Sequence, residues 1–432
     1  MRVVIIGNSA TAVGAVESIR QHDQACEIVV VSEEPHGIYS RPMLSHFLAG
    51  EIDRPRLSYR PADFYSRHNV RPLLNARVTA IDVDGHSVQL ATGQGLRYDK
   101  LLIATGGSPI VPPVPGIESG GVFSFTRLDE TLAMLRHLEE GGVEHAVVVG
   151  GGMIGIKATD ALVKRGLRVT LVELAPRILS AALDETSSRL MTRVLNDAGV
   201  EVVTQATVVA IHAEGGEGSA GEPRIAGVTL DSGRDAACQM LVFGIGVRPN
   251  ASLAKEAGIA VNRGVVVDEY MRTSAADVYA AGDVAEAYDL VVDMNRTVAI
   301  WPNAYRQGAI AGAHMAGVQR TDQGGIAMNT VEVCGVPAMS IGNANVEDDG
   351  HEVLAELDER RSVYKRLVLE GNRLVGAILV GNVSRAGIYT GLIRNKLDVS
   401  AYRKSLMSER MSLLSLPAHY RKHIVTGAGI EV

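Results

Sequence analysis

Thiols are scarce in this chain: three cysteines, Cys26, Cys238 and Cys334, in 432 residues. An odd number of widely separated thiols supports no disulfide framework, and it falls short of the roughly four thiolates an iron–sulfur cluster needs. Such cysteine usage fits a reduced compartment, and a cytoplasmic location is expected. Aromatic residues are also few, at 4%, which leaves little for stacking single-stranded bases. Positive charge is lacking as well. The balance of 42 Lys+Arg against 49 Asp+Glu gives −7, whereas a general nucleic-acid binder needs a basic footprint. No apolar run reaches the roughly 18 residues of a membrane span, and Met1 leads straight into a strand-like segment without a signal-peptide pattern. The twelve histidines show no metal spacing. His419 and His423 stand four apart without a third ligand nearby, so no metal is expected.

Glycine is abundant, at 46 residues, and so are hydrophobic residues, at 46%. The length exceeds what one core organises, so two or three domains are expected. The chain opens with "RVVIIG", then a helical "ATAVGAVESI", then "EIVVVS". Strand, glycine turn, helix and strand in about 30 residues read as a βαβ unit. The cadence returns in "HAVVVGGGMIGIKATDALVKRGLRVTLVE" at 145–173, an internal duplication of a nucleotide-binding unit. Between the copies lies "YDKLLIATGGSPIVPPVPG" (98–116), and its cousin "QMLVFGIGVRPN" (239–250) follows the second. "AEGGEGSAGEP" (213–223) reads as an exposed hairpin loop. "KRLVLEGNRLVGAILVG" (365–381) reads as an antiparallel hairpin turning at "EGN".

The second copy carries the fuller glycine fingerprint: Gly150, Gly152, Gly155, then Glu173 at the end of the next apolar run. The first glycine makes the tight turn, and the second lets backbone approach a pyrophosphate at the helix N-terminus. The third allows the helix to pack on the strand, and the carboxylate accepts hydrogen bonds from ribose hydroxyls. A carboxylate there repels a 2′-phosphate, so NADH is favoured over NADPH. The first copy is degraded, with Gly7 followed by Ser9 and Ala12 where glycines would stand. Glu33 takes the expected ribose position, with Glu34 as fallback. An ordinary strand–helix turn without a ligand is the alternative for the first copy.

The paired fingerprints, "IATGGSP" (103–109), "GVRPN" (246–250) and "VYAAGDVAE" (278–286) together resemble the two-dinucleotide-binding flavoprotein family. That family spans glutathione reductase-like enzymes, NADH oxidases and NAD(P)H-dependent rubredoxin and ferredoxin reductases. The resemblance implies an α/β fold of two Rossmann-like nucleotide-binding domains, the NAD domain inserted in the FAD domain, plus a C-terminal α+β domain. In this sequence that gives 1–113 and 245–320 for FAD, 114–244 for NAD, 321–400 for the C-terminal domain and 401–432 as a basic tail. It implies FAD and NAD(H) as cofactors, with a hydride passing between them. By the same resemblance Asp283 bonds the flavin ribityl chain, and the helix starting near Asn303 aims its N-terminus at the flavin. Arg41 and Pro42 line the flavin, Thr105 and Gly106 close the FAD site, and Ala104, Gly246 and Gly282 are further cofactor-binding positions. Val78 faces the adenine region.

Disulfide reductases of this family place a reactive Cys near position 42 or a Cys pair in the first helix. "IYSRPMLSHFLAG" (38–50) has Pro42 and no thiol. It resembles the rubredoxin- and ferredoxin-reductase branch and the flavin portion of NADH-nitrite reductases, where electrons leave singly for an iron–sulfur or rubredoxin-type carrier. That branch usually has Lys after "LS" and Glu in the second fingerprint; here stand His46 and Lys157. Lys157 is a candidate for raising the flavin potential, and the solvated start of a helix is the alternative. The segments "NAYRQGAIAGAHMAG" and "IAMN" also look like FAD subunits of complexes such as phenylglyoxylate dehydrogenase. Partner subunits or a homo-oligomer are therefore open. From Arg394 to Val432 seven Lys/Arg meet three Asp/Glu, a tail suited to an acidic carrier or to solvent. Trp301-Pro302 is read as either a flavin cover or simple packing. An oxygen- or thiol-reducing relative is disfavoured by the missing cysteine, and a flavin-bearing subunit with little turnover alone is a further alternative.

Overall fold

The computed structural model describes residues 1–215, 223–346, 348–408, 411–412 and 416. Most of the basic tail, including His419 and His423, and the tip of the 213–223 loop lie outside the described residues. The chain forms two compact units, the first built from Met1–Pro113, Gly121–Val143 and Val242–Gly325, the second from Val114–Gly120, Glu144–Leu241 and Ile326–Val432.

In the first unit Arg2–Ile6 is the middle strand of a parallel five-stranded sheet. Glu27–Val31 and Val70–Leu73 follow on one side, Lys100–Ile103 and Val278–Ala280 on the other. Val3, Val4, Ile5, Leu101, Leu102 and Ile103 are fully buried. Strands covered on both faces read as unbroken apolar runs rather than alternating ones, and each such side chain contributes roughly 1.5–3 kcal/mol. The helix after the first strand, Ala10–His22, lies against Trp301–Met315. Their contact is made by glycine. A Cβ on Gly308 would overlap the Thr11 carbonyl, and one on Gly312 would lie 2.5 Å from that of Ala15. Position 11 meets 308 and 15 meets 312, so the two helices run in the same direction. The second starts six residues further out, about 9 Å at 1.5 Å per residue, and both N-termini lie at one end.

Gly121–Val143 falls to the first unit, whereas the resemblance assigns 114–244 to the inserted domain. Its helix Leu128–Glu139 is fastened there by Arg127–Glu33 at 2.7 Å and by the Leu128 N–H donating to the Tyr39 hydroxyl at 3.2 Å.

In the second unit His145–Val149, Arg168–Glu173 and Glu201–Thr204 run parallel, and Met153–Lys164 is the crossover helix. Ile326–Val432 belongs with this unit. It forms a five-stranded antiparallel sheet in the order Met328–Val333, Val336–Gly342, Arg373–Val380, Val363–Glu370, Glu352–Asp358. The hairpin at 365–381 closes on the Glu370–Arg373 pair, with Gly371 at φ +57° in the turn. No described helix is long and apolar enough to cross a membrane.

Candidate functional site

In the second unit each fingerprint glycine has a separate physical reason. Gly150 turns at φ +109° and donates its N–H to the Val172 carbonyl at 2.7 Å. A Cβ on Gly155 would overlap the Gly150 carbonyl, so close helix–strand packing demands glycine there. Gly152 is different. It caps the helix at an ordinary φ of −80°, and no protein atom lies within 4 Å of where its Cβ would stand. Neither backbone strain nor packing among the described residues requires glycine at 152, and the space beside it is open.

Glu173 ends the adjacent strand and folds its carboxylate onto this turn. Oε2 accepts from the Gly151 N–H, and Oε1 accepts from that of Ala175 at 2.6 Å. Each oxygen keeps a lone pair for a hydroxyl. No local motif points to Leu179, a buried residue held at φ +52°, whose N–H donates to the Gly151 carbonyl at 2.7 Å. A left-handed leucine costs on the order of 1–3 kcal/mol and persists only where its surroundings enforce it. Lys157 is half-buried on the fingerprint helix and not its solvated start. Burial pushes its pKa down against the pull of Asp160 and Glu332. Asp160 pairs instead with Lys164 at 2.9 Å.

In the first unit Gly7 turns at φ +119°, and a Cβ there would overlap the Ala104 carbonyl. Ser9 stands at the N-cap of the first helix without capping it, and Ala12 is buried in its first turn. Ser9 faces a pocket with Asn8, Ser32, Glu34, His36, Tyr39 and Arg41. The two adjacent glutamates take different surroundings. Glu33 is exposed and paired with Arg127, whereas Glu34 lines the pocket. The Glu34 carboxylate accepts from Tyr39 at 2.6 Å and from Arg41 at 2.5 Å, and Arg41 also donates to the Thr126 carbonyl at 2.9 Å. Burial works against the Arg41 charge, but Tyr39 and Glu34 outweigh it and hold its pKa above the usual value.

Asp283 follows Gly282, which turns at φ +81° and donates to the Gln307 side chain at 2.8 Å. Burial pushes the Asp283 carboxyl above the usual range, and Arg41 pulls it back only in part. Its oxygens have no hydrogen-bond partner among the described residues. Thr105 and Asn250 clip the two crossing segments together, Thr105 donating to the Asn250 carbonyl and Asn250 to that of Thr105, each at 2.9 Å. Gly106 and Gly246 take φ of +66° and +112° beside this clip. Asn303 is buried in the first turn of the helix that starts at Trp301. Trp301 stands edge-on to Tyr59, with ring centroids 4.9 Å apart.

Pro42, His46 and Val78 are among the expected site residues that do not line this pocket. Pro42 is exposed in the short turn Arg41–Met43. His46 meets Glu51 at 2.5 Å. Val78 is buried in the core, where it opens a strand paired with Leu90. Burial raises the pKa of Cys26 and Cys334 and pushes that of Cys238 up to about 12. Cys26 precedes the strand Glu27–Val31, whose far end meets Gly7.

Residues 1–308 match the family model described as pyridine nucleotide-disulphide oxidoreductase. The chain belongs to that family. Residues 328–397 also match the rubredoxin NAD+ reductase C-terminal domain. The chain is 30% identical over 417 residues to a nitrite reductase [NAD(P)H] of Bacillus subtilis, covering 95% of this chain and 49% of that one. At the same identity and length it is similar to the NADH-dependent phenylglyoxylate dehydrogenase subunit epsilon of Aromatoleum evansii, covering 95% and 96%. It thus spans about half of the first relative and nearly all of the second. The crystal structure of the covalent putidaredoxin reductase–putidaredoxin complex matches with a TM-score of 0.83 at 26% identity, covering 92% of this chain and 94% of that one. As a member of this oxidoreductase family the chain takes FAD and NAD(H). The open space at Gly152, the idle Asp283 carboxylate and the uncommitted Ser9 hydroxyl fit dinucleotides well.

Proposed function

We propose that this oxidoreductase moves electrons from NADH through FAD to a one-electron acceptor of iron–sulfur or rubredoxin type. The observation that carries the reading is the state of sulfur: Cys26 and Cys238 are buried, and burial raises the pKa of all three cysteines. A thiol relay needs an accessible thiolate, so electrons leave without one. Bound FAD accepts a hydride from NADH and can release electrons singly.

The protein's own residues bind and orient. The Gly150–Gly155 turn receives the NADH pyrophosphate, and Glu173 takes the adenine-side ribose hydroxyls. The Gly7–Ser9 turn receives the FAD pyrophosphate, with Glu34 as the ribose carboxylate and Asp283 accepting from ribityl hydroxyls. The helix from Trp301 starts about 9 Å beyond the first one and points its positive N-terminal end past the pyrophosphate, where it favours negative charge on the flavin. Arg41, fixed by Glu34, adds positive charge near Asp283.

A second reading, an electron-transfer subunit of a larger complex, is favoured by the near-complete span of the phenylglyoxylate dehydrogenase subunit. Anaerobic titration of the FAD-loaded chain with NADH tests the main reading. The expected result is prompt bleaching of the flavin by one equivalent, followed by stoichiometric reduction of two equivalents of ferricyanide. Flavin that stays oxidised in excess NADH contradicts it.

A further inference from the structure

We propose that the C-terminal sheet is a working part of the NADH site, acting as a latch that sets the shape of the fingerprint turn. This rests on the reading that the Gly150–Gly155 turn and Glu173 hold NADH. The loop after Glu173 is fixed at one end by that turn, where the strained Leu179 donates its N–H to the Gly151 carbonyl. Gly151 in turn donates to the Glu173 carboxylate, so the loop, the turn and the ribose carboxylate form one hydrogen-bonded chain.

The other end of the loop is fixed by the C-terminal segment, at the loop after the strand Val336–Gly342 and at the strand Val363–Glu370. Asn345 donates from its side chain to the Ser180 carbonyl at 2.8 Å, one residue beyond Leu179. Asp184 is buried and closes the loop; it accepts the Tyr364 hydroxyl at 2.6 Å and the Arg366 guanidinium at 3.3 Å, both from the strand Val363–Glu370. Asp184 also caps the next helix by accepting the Ser187 N–H at 3.0 Å. Between these anchors only a few residues remain, and Leu179, at the first of them, is held in a backbone conformation that leucine avoids unless its surroundings enforce it. The sheet therefore supplies the constraint that keeps Leu179 strained and the turn in register. Asn345, Tyr364 and Asp184 are positioning residues for NADH and do not touch it.

The test uses the full FAD-loaded chain carrying Asn345→Ala and Tyr364→Phe, singly and together, with NADH and ferricyanide in steady state. The KM for NADH is expected to rise about three- to tenfold per lost hydrogen bond. The kcat at saturation and the bound-flavin spectrum are expected to stay within twofold of the parent. A purely structural contact would not separate KM from kcat in this way. Should the buried Tyr364→Phe variant fail to fold, the half-buried Asn345→Ala decides alone. An unchanged KM in the folded variants overturns the latch. Gly152→Val, measured alongside, tells the two failures apart. If it alone raises KM, the latch is wrong and the NADH reading stands; if none does, the NADH reading fails and takes the latch with it.

Discussion

Gly152→Val lowers kcat/KM for NADH by about a hundredfold while the chain keeps its fold and its FAD. The reason is the separation of roles among the three fingerprint glycines. At 152 the backbone sits at φ −80°, which any residue adopts, and the space a side chain would fill is open. Valine therefore meets no protein atom near its Cβ, and stability is expected to fall by little. The isopropyl group instead stands where a pyrophosphate must approach the helix N-terminus. Two charge-assisted hydrogen bonds from backbone N–H groups, at roughly 1.5 kcal/mol or more each, amount to about a hundredfold in rate. Gly155→Val is the contrasting control. There a Cβ overlaps the Gly150 carbonyl, and loss of folded protein is expected. Stopped-flow bleaching of the flavin by NADH, with thermal unfolding of each variant, separates the two outcomes.

Asp283→Ala is expected to lower FAD affinity by about 10- to 100-fold, the effect of one hydrogen bond to a charged acceptor. The same change leaves the apo chain equally or more stable. The sign follows from the carboxyl's surroundings: burial raises its pKa, and no described residue donates to it. A carboxyl whose folded pKa lies above its unfolded value loses stability for the fold as pH rises from the unfolded value through the folded one. At neutral pH burial of this carboxyl is therefore a cost to the empty protein, and only a ligand's hydroxyls offset it. Fluorescence titration with FAD gives the first number, and thermal unfolding of the apo proteins at pH 7 gives the second. A variant that is less stable yet binds FAD normally would show that Asp283 serves the fold.

The positions of these two residues were legible in the sequence because each lies in a motif whose spacing is set by chemistry. The apolar runs of the two parallel sheets were legible for the same kind of reason, since buried strands admit little else. Other features depend on residues far apart in the chain. Glu33 and Glu34 are adjacent, and their roles are decided by Arg127 for one and by Tyr39 and Arg41 for the other. Gly308 and Gly312 read as poor helix residues until the crossing they permit is seen. Leu179 carries no signal at all, because its strain is imposed by a loop whose second anchor, Tyr364, lies 180 positions beyond Asp184. The grouping of the C-terminal sheet with the inserted nucleotide-binding strands has the same cause: Asp160 accepting from the Cys334 N–H and Asp184 accepting from Tyr364 are pairings that local pattern cannot encode.

On the proposed reading, electrons leave the flavin without passing through a thiol. The most direct measurement is NADH-dependent reduction of a one-electron acceptor by a chain in which Cys26, Cys238 and Cys334 are all replaced by alanine or serine. Turnover within about twofold of the parent, at equal FAD content, is the predicted result. A loss of two orders of magnitude with the flavin still bound and still bleached by NADH would place sulfur in the exit path and contradict the central claim.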